Sequence, residues 1–91
     1  MALSGQKTVS AAGTAEVLGS QQVNAGLMIK ALSANAGLIY IGNVSGDIAP
    51  ANGLELAAGE VVIFDLVANL ANIMLDAANN DDGVAWLILE A

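Results

Sequence analysis

Apolar and polar positions in this chain trade places with a period near two, in short runs that Gly, Asn, Asp and Ser interrupt about every 8 to 12 residues. Successive side chains of a strand point to opposite faces, so a period of two signals strands rather than helices. Regular short strands between turn residues are the pattern of an all-β sandwich or barrel. The runs predict strands at 6–11, 15–18, 22–24, 27–32, 38–41, 54–57, 60–67, 73–77 and 84–90. The expected fold is all-β: an antiparallel β-sandwich of about eight short strands in one domain, with residues 1–5 as a flexible N-terminal arm. Asn52-Gly53 and Asp82-Gly83 read as tight turns, since both residue types tolerate positive φ. Pro50 falls in the loop 43–52, where its missing N–H breaks no ladder.

A helix competes for one segment. Val67, Leu70, Ile73, Met74 and Ala77 also fit an i, i+3, i+4 stripe, and alanine favours helix. Asparagines at 69, 72, 79 and 80 weaken that stripe, and β-branched Val61, Val62 and Ile63 stand just upstream. Strand is the better reading.

Three strands lack a polar face. In the stretch GLIYIGN, Leu38 and Tyr40 share one side, Ile39 and Ile41 the other. Alternation over 60–67 puts Val61, Ile63, Asp65 and Val67 against Val62, Phe64 and Leu66. Over 84–90 it puts Val84, Trp86, Ile88 and Glu90 against Ala85, Leu87 and Leu89. A small antiparallel sheet normally keeps one face wet. A second sheet covers one side of each strand, and neighbouring chains are expected to cover the other. Ile39 and Ile41, or Leu38 and Tyr40, together with Phe64, Trp86 and Leu87 are therefore candidate subunit-interface residues, the aromatics Tyr40, Phe64 and Trp86 reading as core or interface anchors.

Composition sharpens this expectation. The chain has 91 residues, 56 % of them hydrophobic and only 12 % charged, against roughly a quarter charged in ordinary domains. Cysteine and histidine are absent, which removes disulfides and nearly all zinc, copper and haem chemistry. A domain this small leans on disulfides, metals or association, and association is what is left. Net charge is −7, with Lys7 and Lys30 the only basic residues. Two lysines cannot bind a phosphate backbone, so no direct nucleic-acid or membrane partner is expected. The start MALSGQKTVSAAG lacks a secretory pattern, and the Val61 to Phe64 run is far too short to span a bilayer.

Little in the chain suggests turnover. Without histidine or cysteine no serine has a conventional base. Lys30, in LMIKAL, reads as snorkelling from a strand edge or pairing with a carboxylate. Glu55, Glu60, Asp65, Asp76 and Glu90 supply carboxylates for sugar hydrolysis only if two of them converge. The run Asp76 to Gly83 is rich in oxygen ligands but misses the EF-hand spacing, and reads as a solvated hairpin loop. No catalytic residue, cofactor or metal is expected, and the protein reads as a non-enzyme.

GLIYIGN at 37–43, NGLELAAGE at 52–60 and VANLANIMLDAANNDDGVAWLIL at 67–89 together resemble the small all-β head decoration, or cement, proteins of tailed bacteriophages. The likeness runs over 5–89. It implies a homotrimeric, jelly-roll-like β-sandwich on the capsid exterior of the virion, synthesised in the host cytoplasm, with the candidate interface residues meeting a second subunit or the capsid. Its partner would be the major capsid protein, whose neighbouring subunits it would clamp against the pressure of packaged DNA. The alternative is a phage tail, fibre or host-attachment module built on a similar sandwich.

Overall fold

The computed structural model describes residues 3–43 and 53–89. These form β1 (Ser4–Thr8), β2 (Glu16–Val17), β3 (Gln22–Ala31), β4 (Ile39–Asn43), β5 (Leu54–Leu56), β6 (Val61–Asn69), β7 (Ile73–Ala77) and β8 (Gly83–Leu89), with one 3-10 turn at Leu70–Asn72. Two four-stranded sheets result, ordered β1-β8-β3-β6 (sheet A) and β2-β7-β4-β5 (sheet B). Every pairing is antiparallel. First pairs with last, β1 with β8, β2 with β7, β3 with β6 and β4 with β5, as in one long hairpin. The hairpin is then rolled up so that β8 also meets β3 and β7 also meets β4. That connectivity is a jelly roll.

The segments read at 22–24 and 27–32 are one strand. Asn24 takes a positive φ of 50°, and the register with β6 shifts on either side of Ala25; this local kink, not a turn, broke the alternation. β1 opens at Ser4, within the segment read as an N-terminal arm. The helical stripe forms only the 3-10 turn. Asn69 fixes where it begins: its side chain accepts from the Ala71 N–H at 2.9 Å, while its own N–H donates to Asn72 Oδ1 at 3.1 Å. This reciprocal cap satisfies N–H groups that no helix pairs internally, and the turn ends at Ile73, which donates its N–H to the Leu70 carbonyl and leaves in extended geometry to join β7.

β6 contains a bulge. Leu27 opposes Phe64 and Ala25 opposes Val67, so Asp65 and Leu66 together face Gly26. One extra residue reverses the alternation beyond it. Val67 is buried and Leu66 is 73 % exposed, the opposite of the simple period-two assignment. Glycine suits position 26, because a Cβ there would lie 3.3 Å from the Phe64 carbonyl oxygen and 3.4 Å from that of Asp65.

Between the sheets lies one apolar cluster, with Leu27 and Ile29 of β3, Ile39 of β4, Leu75 of β7 and Val84 of β8 among its sealed members. Each such side chain contributes about 1.5–3 kcal/mol by leaving water. Trp86 joins them by lying over Gly5, where a Cβ would come within 2.7 Å of its ring.

A polar clasp closes one end. Asp82, 7 % exposed, accepts from the Ala36 N–H at 3.0 Å and the Gly37 N–H at 2.9 Å. Asn35 uses its amide like a strand residue, donating to the Gly83 carbonyl and accepting from the Gly83 N–H, both at 2.9 Å. The Asp82-Gly83 pair is thus not the tight turn that its composition suggested. Asp81 carries the positive φ, 68°. Gly83 is a strand residue whose Cβ would collide with the Lys7 carbonyl oxygen. Of the other turn residues, Asn52 and Pro50 lie outside the described residues.

Candidate functional site

The outer face of sheet B answers what covers the second side of GLIYIGN. Ile39 and Ile41 point into the core. Tyr40 points outward, in one cross-strand row with Asp76 of β7 and Glu55 of β5. The chain's own β1–β2 connection folds across this row. Gly13 N–H donates to Asp76 Oδ1 at 2.9 Å and Ala12 N–H to Asn80 Oδ1 at 2.8 Å. Tyr40 is left 6 % exposed and Asp76 3 %, so no second subunit is required there. A shallow depression of about 360 Å³ remains, lined by Ala12, Gly13, Tyr40, Asp76, Ala77 and Ala78.

Asp76 and Asp82 also correct the reading of 76–83 as a solvated hairpin. That connection passes from sheet B to sheet A, and both carboxylates are buried and occupied by backbone N–H groups. They hold loops. Asp76 and Glu55 lie two strand spacings apart, roughly 10 Å, with Asp76 closed under the loop. Glu90 lies outside the described residues. Among the described residues, no group of three or more His, Cys, Asp or Glu side chains is placed to hold a metal ion, and no helix is long and apolar enough to cross a membrane.

At the edge where β1 and β2 stand, Lys7 Nζ meets Glu16 Oε1 at 2.9 Å, joining the two sheets. The Lys7 hydrogen bond, followed by the Ser10 N–H, holds the Glu16 carboxyl below its ordinary range despite some opposing desolvation. A lowered folded-state value stabilises the fold above the unfolded value, about pH 4.3, and that contribution fades as pH falls through the folded value. Glu16→Gln is expected to flatten this part of the acid limb. Urea midpoints between about pH 6 and 3 test it, and parallel curves for wild type and variant would contradict it.

Sheet A presents the other kind of face. Leu87 of β8, Met28 of β3 and Ile63 of β6 form one outward row across three neighbouring strands, with Ser4 of β1 at its end. Ile63 is 54 % exposed and Leu87 43 %. Val61 and the bulged Leu66 extend the apolar surface along β6, an edge strand of nine residues. Exposed apolar side chains gathered on one face, rather than scattered singly, are where a contact surface is sought first.

Of the seven interface residues expected from sequence, Ile39, Tyr40, Ile41 and Trp86 are buried within the chain. Leu38 is half-buried, and Phe64 is half-buried against the core. Leu87 alone is well exposed. Two-sided apolar strands were read as exceeding what one chain can hide; the rolled sheet and the loop over Tyr40 hide most of it. Met28, Ile63, Val61 and Leu66 were missed as a surface. For Val61 and Ile63 the signal was the alternation itself, whereas Leu66 joins them only through the bulge, and uniting the surface needs the β8–β3–β6 register. Lys30, read at a strand edge, is on central β3 and exposed. No protein-family model matches the chain, and no curated protein matches it.

Proposed function

We propose that this protein is a structural virion component, a decoration or cement protein that sits on the outside of a bacteriophage head and reinforces the shell by contact. The single observation that carries this reading is the outward Leu87–Met28–Ile63 row, exposed at Leu87 and Ile63 and half-buried at Met28, on a sandwich whose buried carboxylates hold its loops. A jelly roll is a common scaffold for shell proteins, which is a fold-level analogy only. A reinforcing role needs many weak contacts repeated over identical sites, because multivalency raises avidity far above single-site affinity.

The experiment has two arms. Purified protein added to expanded shells that lack it is expected to bind them and raise their heat-disruption temperature, and imaging of intact virions is expected to place it on the head. Location on tails, together with indifference to shells, would reject the reading in favour of a host-attachment module.

A further inference from the structure

The apolar row of sheet A has one cation on one flank and one anion on the other. Lys30 stands between Ala85 of β8 and Val61 of β6. Asp65 stands on the far flank, in the β6 bulge beside Gly26. Both side chains are exposed. Among the described residues the ion pair is Lys7 with Glu16, so neither Lys30 nor Asp65 is neutralised by one. A charge on an apolar face is best placed where a partner's opposite charge arrives.

We infer that the occupant of this face is a second copy of the chain, related by a two-fold axis that lies in the interface and runs across the strands along the Leu87–Met28–Ile63 row. Such an axis turns the row onto itself, apolar against apolar. It also exchanges the flanks. Lys30 of one copy comes to lie over Gly26 of the other, offset sideways by one strand spacing, about 4.8 Å, from Asp65, and its long side chain reaches across the gap between the sheets. Gly26 has no side chain, so the lysine stem has room. A two-fold axis along the strands would instead stack each flank on its own like, cation facing cation. The contact is self-complementary, as a two-fold interface must be, and two sheets can pack in this way about 10 Å apart.

This inference rests on the reading of the face as an interaction surface and names its partner.

Light scattering and sedimentation over a range of concentrations test it, using wild type, Lys30→Glu, Asp65→Lys, the double variant, and Leu87→Asp. Wild type is expected to dimerise, and each single reversal to raise the dissociation constant by about tenfold or more. The double variant should recover most of that loss, because the pair re-forms with its signs exchanged. Leu87→Asp should be monomeric with an unchanged far-UV spectrum. A wild-type monomer at all concentrations, a trimer, or a dimer whose double variant is no better than the singles would overturn the inference. The same proteins applied to shells separate the two readings. A monomer that still coats and stabilises shells removes the dimer and keeps the decoration role; a charge-sensitive dimer absent from virions does the reverse.

Discussion

Ile41→Asp is expected to leave the chain unfolded at room temperature, whereas Leu87→Asp is expected to keep the fold and lose only association. Both positions are apolar strand residues with similar neighbours in sequence, yet Ile41 is 4 % exposed within the core cluster and Leu87 lies open on sheet A. An aspartate at 41 would stand among Ile39, Leu56 and Leu75 with no cation in that cluster. An unpaired buried charge costs several kcal/mol, a large share of the roughly 5–15 kcal/mol that holds a small domain together. At 87 the carboxylate stays in water, and surface changes of that kind are worth about 0.5 kcal/mol or less. Far-UV circular dichroism and urea melts of the two variants decide the matter. A folded Ile41→Asp protein, or an unfolded Leu87→Asp protein, would contradict the assignment of inner and outer faces.

Asp82→Ala is the second large effect, expected to cost about 2–6 kcal/mol by leaving the Ala36 and Gly37 N–H groups without their acceptor, at roughly 1–3 kcal/mol each. The carboxylate is nearly sealed, so water cannot readily replace it. Asp82→Asn keeps one acceptor oxygen and should recover part of the loss. Urea denaturation measures the stabilities, and amide exchange at Ala36 and Gly37 reports whether the 33–37 loop loosens locally. Wild-type stability in Asp82→Ala would mean that Asn35, through its paired bonds to Gly83, carries the clasp alone.

Much of the architecture was legible in the residues. Period-two alternation between turn residues marked nearly every strand, since the alternation of Cβ atoms is a local property of extended backbone. The split of 84–90 into Val84, Trp86 and Ile88 against Ala85, Leu87 and Leu89 matches the buried and outer sides. Asparagines at 69, 72, 79 and 80 weakened the helical stripe, and the structure keeps only a 3-10 turn at Leu70–Asn72, capped at its start by Asn69 and Asn72.

What the residues could not specify was which apolar face meets which neighbour. Tyr40 and Leu87 look alike in a one-dimensional pattern, but a loop more than twenty residues upstream covers the first and leaves the second open. The β6 bulge likewise has no local cue: Asp65 and Leu66 are displaced because β3 opposite them kinks at Asn24 and offers only Gly26. The surface that unites Leu87, Met28 and Ile63 exists only once β8, β3 and β6 are aligned across sixty residues of chain. Strand identity follows from each residue and its near neighbours, whereas coverage and register follow from long-range closure of the sheet, so tertiary structure alone decided where this protein is sealed and where it is open.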